Sequence, residues 1–165
     1  MMTLDEDSIT RILAAARDAG LQGFAGNCGI AAVAINRVLF DGQGRIIAAF
    51  NEPFFDHGRC IGHIVVEQPG TNPPVYWDSD ALPKDWEQVE SWGVLDDSDP
   101  DYIEQARALG FDLAHASADE VACIHLENEK EVLQSMPGDP RLLGLFETLI
   151  RDCLANHRSQ DRMTP

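Results

Sequence analysis

Apolar residues recur with a helical period in the first part of the chain and with a shorter one further on. Ile9, Ile12, Leu13 and Ala16 fall on one face and predict a helix over 8–19, with Asp5 or Asp7 as N-cap and Gly20 as its stop. A glycine-rich connection over 21–29 follows. Residues 30–40 are then apolar on nearly every side, which predicts a buried helix beginning at or near Cys28. Asp41-Gly-Gln-Gly is turn chemistry. Beyond it, β-branched or aromatic runs at 45–51, 60–67 and 75–78, separated by Gly, Pro and Asn, predict three antiparallel strands. Residues 81–100 are acidic and carry Trp86 and Trp92, a loop or short helix over the surface. Further on, the pattern predicts a helix over 101–109 and a fourth strand over 121–126. It also predicts an amphipathic helix over 141–153, with Leu142, Leu145, Phe146, Leu149, Ile150 and Cys153 on its apolar face. After Ala155 the residues are polar, so 1–155 reads as a single domain and 156–165 as a polar tail. Buried helices followed by an antiparallel sheet make the expected class α+β.

Composition narrows the function classes. The 165 residues are 44% hydrophobic and 24% charged, a globular mixture, and 12 Lys+Arg against 28 Asp+Glu leave a formal charge of −16. Phosphate recognition needs a positive footprint, so neither nucleic acid nor an anionic membrane surface is an expected partner. No apolar run reaches the ~18 residues of a membrane span, and the acidic start is unlike a secretory signal. A cytoplasmic location with reduced thiols is the expectation, and the four cysteines form no CxxC pair.

Three residues then fall in an order that suits nucleophilic chemistry: Cys28 at a helix start, His63 inside a strand and Asp78 at the end of the next. The positive end of a helix favours a thiolate, and its free N–H groups can hold an oxyanion. A histidine on a rigid strand can take the thiol proton and form a thiolate–imidazolium pair, and a carboxylate behind it fixes the tautomer.

The segment Gln22-Gly23-x-x-Gly26-x-Cys28 resembles the nucleophile segment of papain-like cysteine peptidases. In that superfamily a glutamine six positions before the cysteine lends its side-chain amide to the oxyanion hole, and the chain order is Cys, His, Asn or Asp. Gly29 stands where papain-like enzymes carry a bulky residue, and only 35 residues separate Cys28 from His63. That interval is closer to the compact core of transglutaminase-like proteins, where strands bearing His and Asp follow the Cys-bearing helix. His63-Ile-Val-Val-Glu67 and Tyr76-Trp77-Asp78 fit that pattern, over roughly residues 21–81. The resemblance implies a papain-like or transglutaminase-like α+β fold. It implies cysteine-dependent acyl transfer at an amide of a peptide or protein substrate, with a Cys28–His63–Asp78 triad, Gln22 in the oxyanion hole and no cofactor.

Each residue also has a plainer reading. Cys28 is equally at home as a small buried hydrophobe, His63 as a histidine satisfied within the sheet, and Gln22 as a residue closing its loop. Asp80, two residues after Asp78, is the alternative orienting acid, and either is at home as a turn aspartate. His57, Cys60 and His63 at three-residue spacing invite a metal. On a strand such residues face opposite sides, so none is expected. Cys123 and His125 share a parity in the later strand and form a rival dyad. Cys153 reads as core, and His115 and His157 lie in polar surroundings. Trp86 and Trp92 either wall a cleft or cover an edge of the core. Acidity suits a basic substrate. It equally suits a different class of protein, a non-catalytic acidic binding protein of inhibitor or immunity type on the same fold.

Overall fold

The computed structural model describes residues 4–23, 27–51, 62–91, 121–126, 133 and 139–161. Helix α1 spans Glu6–Asp18 and starts two residues earlier than the apolar pattern alone implies, because Asp5 is its cap. The Asp5 carboxylate accepts from the Ser8 backbone N–H at 2.8 Å. Ile9, Ile12, Leu13 and Ala16 are its buried residues, and Gly20 at φ +121° turns the chain away. Helix α2 spans Cys28–Leu39 and is buried without a break from Cys28 to Asn36, as its all-round apolar sequence requires.

Strands β1 (Arg45–Asn51), β2 (Gly62–Glu67), β3 (Tyr76–Trp77) and β4 (Val121–Leu126) form one sheet in the order β3-β2-β1-β4, with each pair antiparallel. The class is α+β. Ile64 and Val66 of β2 enter the main core with α2, while Val65 joins Ile47, Ala49, Tyr76 and Val89 on the opposite face. β3 is two residues long, so Asp78 stands just past its end and not within it. The chain turns there, with Ala81 N–H reaching the Asp78 carbonyl at 3.4 Å and Ala81 itself at φ +69°. Helix α3, Trp86–Ser91, lies in the segment expected to be loop or short helix. The helix predicted over 101–109 lies outside the described residues.

Helix α4, Leu142–Asp161, corrects the predicted tail over 156–165 as far as Asp161. Phe146, Ile150 and Leu154 continue one buried stripe, and His157 occupies its next position and is buried too. A histidine in place of an aliphatic residue hid the last turns of this helix from a hydrophobicity reading, and His157, which the sequence places among polar neighbours, is buried. α4 packs on both α1 and α2, and α2 packs on β2, so the Cys28-bearing helix is held between the sheet and α4. Glu147 of α4 accepts from Arg37 of α2 and from Arg151, each at 2.7 Å.

The α2–β1 turn is closed by Asn36, whose Oδ1 accepts from Gly44 N–H at 2.8 Å and whose Nδ2 donates to the Gly44 carbonyl at 3.2 Å. A Cβ on Gly44 would sit 2.7 Å from Asn36 Oδ1, 2.7 Å from a Val66 methyl and 2.8 Å from the Glu67 carbonyl oxygen. Gly44→Ala therefore has to spread backbone from backbone and is expected to destabilise the fold by about 1–3 kcal/mol. A urea titration checks this, through a lower midpoint at an unchanged slope.

Candidate active site

The first residue of α2 is Cys28, 4% exposed. Asn27 precedes it as the N-cap, but its side chain makes no capping bond to the helix. Its Oδ1 accepts instead from the Asp139 backbone N–H at 3.2 Å. The Cys28 end of α2 is thus tied to the segment leading into α4, while the Asn27 side chain leaves the first-turn N–H groups uncapped. Gly23 lies against the same place. A Cβ there would be 3.5 Å from Cys28 Cα, 3.7 Å from Cys28 Cβ and 2.7 Å from Ser79 Oγ. Gln22, one residue before, is exposed.

His63 is the second residue of β2, opposite Ala49 of β1. Its Nε2 lies 2.7 Å from Asp78 Oδ2, and Cys28 stands near enough to raise the pKa of the ring. Nε2 being engaged by Asp78, Nδ1 is the nitrogen left for the thiol. Burial works against a charge on this ring. The hydrogen bond to Asp78, the charge of that carboxylate and the nearness of Cys28 outweigh it and lift the pKa from 6.5 to about 9. The imidazole is therefore a cation at neutral pH.

Asp78 is buried, which by itself would favour the neutral acid. The bond from His63, the hydrogen bonding to Asp80 and the charge of Lys84 together hold the carboxyl far below its usual range. Oδ1 accepts from Asp80 N–H at 2.9 Å and from Lys84 Nζ at 3.0 Å. Asp80 bonds Lys84 and not His63, and its own pKa is raised by partial burial and by the neighbouring Asp78. The alternative orienting acid is thus placed one step further out, and the Arg17 guanidinium of α1 pins its carbonyl at 2.8 Å.

The structure joins His63 to Asp78 and sets Gly23, the neighbour of the exposed Gln22, against Cys28; Lys84, on the other oxygen of Asp78, is a residue that sequence reasoning missed. No periodicity connects positions 78, 80 and 84 in a loop. The available signal was the need for a counter-charge beside a carboxylate buried next to a histidine.

The other chemistry-bearing residues stand elsewhere. Cys123 and His125 lie opposite Ala49 and Ile47 in the sheet register. Cys153 is half-buried against the core, and burial with the Asp152 charge pushes its thiol up. Cys60, His57, His115 and Trp92 lie outside the described residues. Among the described residues, no group of three His, Cys, Asp or Glu side chains is arranged to hold a metal. Trp86 covers the sheet edge, its ring 5.8 Å from that of the buried Tyr76. Among the described residues no helix is long and apolar enough to cross a membrane. No protein-family model, curated protein or solved structure matches this chain.

Proposed function

We propose that the protein is a cysteine-dependent acyl-transfer enzyme acting at an amide bond, on a papain-like or transglutaminase-like core. One observation carries the reading: a single imidazole is hydrogen-bonded through Nε2 to a buried acid and stands beside a cysteine at a helix N-terminus. The proposed mechanism starts from a Cys28 thiolate beside the His63 imidazolium.

The Cys28 sulfur attacks the carbonyl carbon of the substrate, and the C=O π pair moves onto oxygen. The Cys28 backbone N–H and the Gln22 side-chain amide bind that oxyanion. As the intermediate collapses, the C–N bond breaks, and His63 delivers its proton to the leaving nitrogen. The neutral imidazole then takes a proton from the incoming nucleophile, which attacks the thioester and releases the sulfur as thiolate. Water as nucleophile gives a peptidase, isopeptidase, amidase or deamidase, and an amine gives a transferase. A peptide or protein carries the scissile amide, and the acidic surface suits a basic one. Asp78 keeps the imidazole in the tautomer and plane that both proton transfers need.

Iodoacetamide is the direct test, followed by peptide mapping. Cys28 is expected to be carboxamidomethylated at least tenfold faster at pH 7 than Cys60, Cys123 or Cys153, because its imidazolium partner holds it as the nucleophilic thiolate. Hydrolysis of a peptide and amide library should then vanish in Cys28→Ala. Slow, uniform labelling of all four thiols would remove the enzyme reading. The low exposure of Cys28 favours a second one, an acidic binding protein on the same core, and that result would support it.

A further inference from the structure

Lys84 is the least expected charge in the molecule. It follows Pro83 in the loop after Asp78 and is 6% exposed, on a chain with surface to spare for lysines. Its backbone is fixed by a two-way bridge to Tyr76, N–H to carbonyl at 2.9 Å in each direction. Its ammonium has three N–H donors and meets three acceptors: Asp78 Oδ1 at 3.0 Å, the Leu82 carbonyl at 2.9 Å and the Asp80 carboxylate. Backbone and head group are therefore both held, and the side chain reaches back under the loop to the acid that carries His63.

We propose that Lys84 is a positioning residue of the active site: by claiming Oδ1 of Asp78 it leaves Oδ2 as the oxygen presented to His63. This rests on the acyl-transfer reading above and extends it by one residue. With the Asp80 N–H on the same oxygen, Oδ1 carries two donors and Oδ2 one, so the carboxylate plane is set from both ends. The ring bonded to Oδ2 then keeps its Nδ1 toward Cys28. The same clamp requires both oxygens of an aspartate at position 78. An amide has a single oxygen. With Lys84 in place that oxygen is drawn to the ammonium, and the NH2 is turned against Nε2 of His63.

This predicts a sign reversal that no merely structural lysine produces. The measurement is the iodoacetamide rate at Cys28, pH 7, in the full-length chain, with near-ultraviolet circular dichroism to report folding. Lys84→Met is expected to slow Cys28 by about tenfold, because the carboxylate is freed at one end, and Lys84→Arg to recover most of the loss. Asp78→Asn slows it further. In Asp78→Asn/Lys84→Met the amide oxygen is released to the charged imidazole, so the double variant should react at least tenfold faster than Asp78→Asn alone.

The double variant removes both charges of the buried Asp78–Lys84 pair together, so it stays informative if Lys84→Met alone does not fold. A Lys84→Met protein that reacts as fast as wild type overturns the proposal, as does a double variant no faster than Asp78→Asn. Failure of the acyl-transfer reading is distinct from both, since it shows in the wild type as a Cys28 no more reactive than the other thiols.

Discussion

Asp78→Asn is expected to cut the alkylation rate of Cys28 at neutral pH by on the order of a hundredfold or more, with little change in the fold. The substitution is nearly isosteric, and what changes is the pattern of donors and acceptors. In the native site Oδ2 accepts from His63 Nε2 at 2.7 Å, while Oδ1 accepts from Lys84 and from the Asp80 N–H. Asparagine offers one oxygen to these two sides. Two donors, one of them cationic, outweigh one, so the oxygen stays with Lys84 and the amide NH2 faces Nε2. Nε2 must then be the bare nitrogen and Nδ1 the protonated one. With a proton already on Nδ1, the neutral ring cannot take the thiol proton, and the anion that held the imidazolium is gone. Nitrogen-15 NMR of the imidazole would report this directly, as a change from the cation to the Nδ1–H tautomer at pH 7. If Asp78→Asn keeps both the cationic ring and the fast alkylation, the orienting role of Asp78 is wrong.

The elements that position this site were legible in the sequence where one local rule governs them. The glycine-rich connection and the apolar run behind it announced a buried helix starting at Cys28, and the structure starts α2 there because nothing polar interrupts the stripe before Asn36. β1 and β4 were legible to the residue because each is a nearly unbroken run of apolar side chains. Where tertiary contacts decide, the sequence was silent. Tyr76 pairs with Glu67 on one side and with Lys84 on the other, and that second pairing turns the chain so soon that β3 stops before Asp78. Asn27 looks like an ordinary cap from its position, yet its side chain is committed to Asp139, 112 residues away. Lys84 reads as a surface lysine beside a proline until the fold shows two carboxylates around it. His157 reads as polar until α4 shows it on the buried stripe of Phe146, Ile150 and Leu154. Pattern rules singled out Cys28, His63 and Asp78 because their order along the chain is itself a pattern. The residue that holds the acid has no such order.

The protonation of His63 should also be visible in stability, with a definite sign. In the unfolded chain the ring titrates near 6.5, and in the fold at about 9. Below pH 6.5 it is charged in both states, and its contribution is complete. Between 6.5 and 9 the unfolded ring gives up its proton while the folded one keeps it, so the contribution declines, and above 9 it is gone. At ~1.4 kcal/mol per unit the loss is about 3 kcal/mol, little screened because the side chain is only 23% exposed. Asp78 has the opposite sign. Its carboxyl is held below its ordinary value, so its contribution is present above about pH 4 and is lost as the solution is acidified. The stability difference between wild type and His63→Gln should therefore be greatest between about pH 4 and 6.5 and should shrink on both sides. Urea midpoints at pH 5.5, 7.5 and 9.5 for the two proteins measure it. Cys28→Ser removes one of the two partners that lift the ring, so its decline should end at lower pH than that of wild type. Wild-type and His63→Gln curves that run parallel from pH 5.5 to 9.5 would mean that the folded ring is not a cation held by Asp78 and Cys28. The thiolate–imidazolium starting state would then fall with it.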